Sequence, residues 1–174
     1  MPTDSDAVDA WVRANLARAV AYARSLVRDL PTAEDVVHDS FARLLAKADQ
    51  YDLPRDGTRL LFRSITNAAI NRTTRAKDWL PLGPGNGEYE AADKRTLEPL
   101  AILLDRELAV SVAEGLAKLS ITQRAALEMR SLGFGLQEVG EALGTTPGNA
   151  GVIVHRARQL LAGHLSASNE DHEA

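Results

Sequence analysis

The sequence predicts an all-α protein: two small helical lobes joined by a flexible linker, with a helix-turn-helix in the C-terminal lobe. Three observations carry this. Aromatics make up only 5% of the 174 residues, while Ala, Leu, Val, Arg and Glu dominate, a composition that favours helices over a sheet sandwich. Apolar residues recur at helical spacing, as in AEDVVHDSFARLLAKA, where Val37, Phe41, Leu44 and Ala48 form one stripe. The stretch Trp79-Leu80-Pro81-Leu82-Gly83-Pro84-Gly85-Asn86-Gly87 packs two prolines and three glycines into nine residues, more than a helix or strand tolerates. A chain of this length accommodates one ordinary domain or two small ones.

On the N-terminal side of that stretch the pattern predicts helices over about 6–28, 32–48 and 58–77, broken at Pro31-Thr32 and at Asp52-Leu53-Pro54-Arg55-Asp56-Gly57. Thr32 is the expected cap of the second helix, with Glu34 and Asp35 in its first turn complementing the helix dipole. On the C-terminal side the expected helices run over about 100–118, 121–132, 136–143 and 147–164. Thr146 followed by Pro147 suits an N-cap and first helical position, and Gly144-Thr145-Thr146 supplies the turn between the last two helices. The units are then a lobe at 1–77, an acidic flexible linker at 78–107, a helix-turn-helix lobe at 108–165 and an acidic tail at 166–174.

There is no cysteine, which excludes disulfides, thiolate metal sites and a thiol redox sensor within the chain. No basic leader precedes an apolar run and no stretch approaches the length of a membrane span, so a cytoplasmic protein without membrane insertion is expected. The net charge of −4 is unevenly spread. Residues 1–77 hold 12 Lys/Arg against 10 Asp/Glu, whereas 78–107 hold 3 against 7, so the acidic balance does not exclude a nucleic-acid partner for the first lobe.

The second helix carries Asp35 and Asp39 one turn apart on the face opposite its apolar stripe, where like charges repel by a few tenths of a kcal/mol. Two readings stand: a solvated face, or an acidic docking face for a basic partner. His38 lies between the aspartates, but residues at this spacing on one helix cannot close a metal site without ligands from elsewhere, and no metal or cofactor is expected. The third helix is the basic element. Between 55 and 77, Arg55, Arg59, Arg63, Arg72, Arg75 and Lys77 face only Asp56. Arg59, Arg63, Asn67, Asn71 and Arg75 fall four residues apart, a stripe that drifts by about 40° per step and can follow a phosphate backbone. Ser64, Thr66, Thr73 and Thr74 are expected to add hydroxyl donors.

In LQEVGEALGTTPGNAGVIVHRAR the first two turns of the second helix carry no Lys or Arg. Asn149 is available for base edges, and Arg156 and Arg158 can grip phosphates further along. Val152 and Ile153 are compatible either with contact to a thymine methyl or with the core, and Gly151 either serves a close approach or serves nothing. No Ser-His-Asp order, metal cluster or phosphate-cradling glycine loop points to an enzyme.

Taken together, AEDVVHDSFARLL, LLFRSITNAAINRTTR and LAKLSITQRAALEMRSLGFGLQEVGEALGTTPGNAGVIVHRARQLL resemble the sigma factors of the extracytoplasmic-function (ECF) group of the sigma-70 superfamily, over residues 14–163 or so. The resemblance implies a transcription initiation factor that binds core RNA polymerase and directs it to promoter DNA, under an anti-sigma factor or other stress-linked control. It puts Asp35, Val36, Asp39 and Phe41 where the family meets the polymerase clamp. It puts the loop 50–58 where a flipped base is received, and Arg55, Arg59, Arg63, Asn67, Asn71, Arg72 and Arg75 on the segment that opens and holds the non-template strand. Asn149, Arg156 and Arg158 then contact upstream duplex. The chain departs from the family pattern at Leu60, where a Trp is frequent, at Asn71, where an Asp is frequent, and at Gly151-Val152-Ile153, where Lys, a small polar residue and Arg are common. Two other readings are a self-sufficient helix-turn-helix regulator and a sigma-like interaction protein with reduced promoter recognition.

Overall fold

The computed structural model describes residues 4–78 and 106–170, and every regular element in them is a helix. The N-terminal lobe holds α1 (Asp4–Val27), α2 (Leu30–Leu45) and α3 (Leu53–Asp78). The C-terminal lobe holds α4 (Arg106–Lys118), α5 (Ile121–Ser131), α6 (Leu136–Leu143) and α7 (Pro147–Glu170). The linker stretch 79–87 and the expected helix start at 100 lie outside the described residues.

Two helix starts differ from the sequence expectation, for the same reason. α2 is capped by Asp29 rather than Thr32: the Thr32 N–H donates to Asp29 Oδ2 at 2.9 Å, and Pro31 sits in the first turn, where its missing N–H costs nothing. Hydrogen bonding from the Thr32 hydroxyl, with this N–H second, holds the Asp29 carboxyl below its usual pKa. The break falls instead at Arg28, whose φ of 62° ends α1. α3 likewise begins at Leu53, with the Asp52 side chain accepting from the Arg55 N–H at 3.2 Å and Pro54 in the first turn. Gly57 therefore lies inside the helix, where an added Cβ would stand 2.7 Å from the Trp11 ring. α2 in turn stops at Leu45, so Ala48 leaves the apolar stripe and is exposed, while Val37, Phe41 and Leu44 are buried as expected.

The helix-turn-helix is built as its sequence predicts. Gly144 ends α6 in the left-handed region at φ 66°, and the Thr145 N–H donates to Gly140 O at 2.8 Å. Thr146 Oγ1 then accepts the Asn149 N–H at 3.2 Å and caps α7. The turn folds back so closely that a Cβ on Gly140 would meet the backbone of Thr145 at 2.9 Å and of Thr146 at 3.1 Å.

The two lobes are not independent. α5 and α6 pack against α1 and α3, and one apolar cluster runs through both halves. Phe62 of α3 lies between Tyr22 of α1 and Phe134 of the α5–α6 turn, with ring centroids 5.1 and 5.2 Å away. Burying a Phe side chain contributes about 1.5–3 kcal/mol, so this seam holds a substantial part of the apolar stabilisation.

Two of the helix-turn-helix glycines, Gly140 and Gly151, separate cleanly by this geometry. Gly140→Ala is expected to lower stability by roughly 1–3 kcal/mol, because backbone rather than a movable side chain must give way. Gly151→Ala meets only Leu136 Cδ1 at 3.5 Å and is expected to raise stability by up to about 1 kcal/mol, both read from urea unfolding.

Candidate nucleic-acid interface

α3 places its residues on two faces. Leu61, Phe62, Ile65 and Ala69 are fully buried, and Arg55, Arg63, Asn67, Asn71 and Arg72 are exposed. The side chain of Arg75 lies outside the described residues. The hydroxyls expected to face a nucleic acid are already hydrogen-bonded within the protein, and only that of Thr66 is buried. Thr66 is fully buried and donates to Phe62 O, Thr73 and Thr74 donate to the Ala69 and Ile70 carbonyls, and Ser64 donates to Ser40 Oγ. A Ser or Thr inside a helix finds its own carbonyl three or four residues back, which is closer than any ligand.

Three of the arginines already hold carboxylates. Arg59 and Arg63 both reach Glu141 Oε2 on α6, at 3.4 and 3.7 Å, and Arg72 reaches Asp39 Oδ2 on α2 at 3.9 Å. Asp35 and Asp39 are exposed on α2 as the spacing predicts. Val36 and Phe41, assigned with them, are buried in the lobe core at 1% and 6% exposure. Phe41 meets the Trp11 ring edge-on at 5.5 Å. Beside α2 and α3 lies an open cleft, whose lining includes Arg43, Lys47, Tyr51, Leu60, Arg63 and Asn67. It brings three cations, an aromatic ring and a side-chain amide to one place.

On α7, Asn149, Arg156 and Arg158 are all exposed. The Asn149 amide donates to Thr145 Oγ1 at 2.8 Å, which fixes its direction. The alternatives at 151–153 resolve residue by residue. Val152 is 45% exposed, Ile153 packs against the core, and Gly151 allows ordinary contact with Leu136. His38 is exposed, and no group of three or more possible ligands comes together among the described residues. No helix in them is long and apolar enough to cross a membrane.

Sequence reasoning missed the polar groups along the seam. Arg124 of α5 is 5% exposed, and its guanidinium donates to Leu116 O at 2.9 Å, Leu119 O at 3.0 Å and, across the seam, Ser25 O at 2.8 Å. Ser25 Oγ donates to Glu128 Oε2, and Arg28 donates to Ala117 O. Tyr22 OH meets Thr66 Oγ1 at 2.8 Å, and burial pushes its phenol well above the usual value. Burial likewise raises the Glu128 carboxyl to about 7, against the opposing pull of Ser25 and of the Arg124 charge. An Arg and a Glu four residues apart in a helix look like a surface pair in sequence, so nothing local marks these two as internal.

Residues 11–79 match the sigma-70 region 2 family and residues 109–161 the sigma-70 region 4 family, one on each lobe. Over 140 residues the chain is 25% identical to the ECF RNA polymerase sigma factor SigW of Bacillus subtilis (strain 168), covering 76% of this chain and 75% of that protein. The chain belongs to the sigma-70 family, in its ECF group. It is a sigma factor that directs transcription initiation. Region 2 of the sigma factor spans α1 from Trp11 through α3, and region 4 spans α4 through most of α7.

Glu128 makes the stability of the sigma factor depend on pH. A carboxyl whose pKa rises on folding binds its proton more tightly in the folded state, so its contribution is full below the unfolded value of 4.5 and is lost as pH rises through about 7. Glu128→Gln, which keeps an acceptor for Ser25 and cannot ionise, is expected to unfold at higher denaturant than the unsubstituted protein at pH about 8, by roughly 1–3 kcal/mol. The gap is expected to close at pH about 5 in parallel urea titrations.

Proposed function

We propose that the sigma factor docks on core RNA polymerase through the Asp35 and Asp39 face of α2 and opens promoters with α3. The cleft beside Tyr51 carries this reading. Unstacking a base costs a few kcal/mol, which an aromatic platform, nearby cations and an amide for the base edge can offset. Arg43, Lys47, Arg63, Tyr51 and Asn67 supply those groups beside the expected base-receiving loop. Val36 and Phe41 act from beneath, holding α2 in position, while the exposed aspartates meet the partner. Arg55, Arg59, Arg63, Asn67, Asn71, Arg72 and Arg75 hold the single strand.

The C-terminal lobe reads upstream duplex weakly. Asn149 and Val152 are presented for base contacts and Arg156 and Arg158 for phosphates, so much of the selectivity comes from DNA shape. Weak contacts suffice inside a holoenzyme, where the tethered lobe acts at high effective concentration. The factor works in the cytoplasm without catalytic chemistry of its own, under the control of an anti-sigma protein, a reading supported by the ECF relative.

Reconstitution with core polymerase, followed by sequencing of transcript starts, tests this directly, and a defined set of promoter-dependent starts is expected. Asp35→Arg with Asp39→Arg is expected to abolish co-elution with core polymerase while leaving the unfolding transition within about 1 kcal/mol of the unsubstituted protein, because both side chains are exposed. Undiminished co-elution of the double variant removes the docking assignment.

A further inference from the structure

The outward face of α7 carries one apolar side chain in a polar surround. Asn149, Val152, Arg156 and Gln159 are exposed and fall within about 80° of one another around the helix. Val152 points almost directly away from the side on which Ala150, Val154 and Ala157 are buried, so the core has no claim on it. Its neighbours on the helix surface, three and four residues away, are Gly148, Asn149, His155 and Arg156, and all four are exposed. A helical side chain leans over the turn that precedes it. For Val152 that turn holds Gly148, where an added Cβ would meet nothing within 4 Å, so the valine methyls stand clear at 45% exposure. β-Branching leaves one strongly preferred χ1 in a helix, which gives those methyls a fixed position. No carboxylate occurs from Pro147 through Asn169, whereas Arg156 and Arg158 are exposed further along.

We propose that Val152 selects thymine at one position of the upstream duplex, by contact with the C5 methyl that thymine presents in the major groove. The inference rests on the reading of the C-terminal lobe as the part that binds upstream duplex, and it names what the lobe reads there. Discrimination works from both sides. Against thymine, the valine covers a methyl group and removes apolar surface from water. Against cytosine or adenine the same valine lies over an amino group, and against guanine over acceptors, which lose water and gain no partner. Asn149 and Gln159, on the same face, supply amides for neighbouring base edges, and Arg156 holds the backbone. The surround also argues for DNA rather than a protein partner. A valine set among an amide, an imidazole and a guanidinium matches the mixed edge of a base pair, while a helix that docks in an apolar groove presents apolar anchors on successive turns.

The test uses the holoenzyme on promoters defined by its own transcript starts, with the upstream duplex first randomised to find the thymines it requires. Each required thymine is then replaced by deoxyuridine, which lacks the C5 methyl and keeps the same hydrogen-bonding edge. At one position, loss of the methyl is expected to lower open-complex formation at limiting holoenzyme about two- to fivefold. Val152→Ala is expected to treat the thymine and uracil templates alike, while Val152→Ile keeps the preference. Because the side chain is exposed, both variants are expected to unfold at the same denaturant concentration as the unsubstituted protein and to co-elute with core polymerase as it does. Uracil tolerated at every position by the unsubstituted holoenzyme, or a uracil penalty that persists in Val152→Ala, overturns the inference while the reading of the lobe stands. Loss of core binding in Val152→Ala places the valine on a protein instead, and overturns it too. If randomising the upstream duplex leaves transcript starts unchanged, the reading of the lobe itself falls.

Discussion

A buried guanidinium joins the two halves of this sigma factor. Arg124 spends its donors on carbonyls from the end of α4, the α4–α5 turn and α1, and the last of these crosses from region 4 to region 2. A buried charge without partners is costly, so the position of α5 on α1 is tightly specified wherever Arg124 stays inside. Glu128, one turn along α5, lies near that charge and accepts from Ser25 on the same stretch of α1. Phe134 then falls on Phe62, and Glu141 falls between Arg59 and Arg63. The register of the whole seam follows from where Arg124 and Glu128 meet α1.

This arrangement sets two requirements of the molecule against each other. Region 2 needs an apolar face on α3 to fold and, on the proposed function, a basic face on α3 to hold a strand, and the C-terminal lobe covers part of both. The apolar part of the seam is strong enough to form, while its polar part is a set of groups that water, a proton or another charged partner can satisfy equally well. A carboxyl held near neutrality and two half-exposed ion pairs make a joint that is specific without being permanent. A seam of this composition suits rearrangement better than a wholly apolar one.

The fold class, the seven helices among the described residues and the helix-turn-helix geometry were legible because each rests on local signals: apolar spacing, Gly144 at a left-handed cap and Thr146 ahead of Pro147. Two helix starts were misplaced because Pro31 and Pro54 read as breaks although both sit in first turns, where aspartates upstream do the capping. The charged stripe on α3 was legible, and so was the exposure of Asp35 and Asp39. The engagement of Thr66, Thr73 and Thr74 with the carbonyls of their own helix was not, since nothing in the sequence marks which hydroxyls make that bond. The seam was invisible for a different reason. Ser25, Arg124, Glu128 and Glu141 are unremarkable in sequence, and they acquire meaning only when residues about a hundred positions apart are brought together.

In the free factor the two lobes are closed on each other, and if α3 holds DNA as proposed, Glu141 must leave Arg59 and Arg63. The distance between spin labels on Ala42→Cys in α2 and Gln159→Cys in α7, both exposed and outside the seam, tests this most directly, because the chain supplies no competing thiol. A narrow distance distribution is predicted for the free factor, moving to distinctly longer distances in a promoter-bound holoenzyme. A broad distribution in the free factor, or the same narrow peak persisting in the open promoter complex, would contradict it.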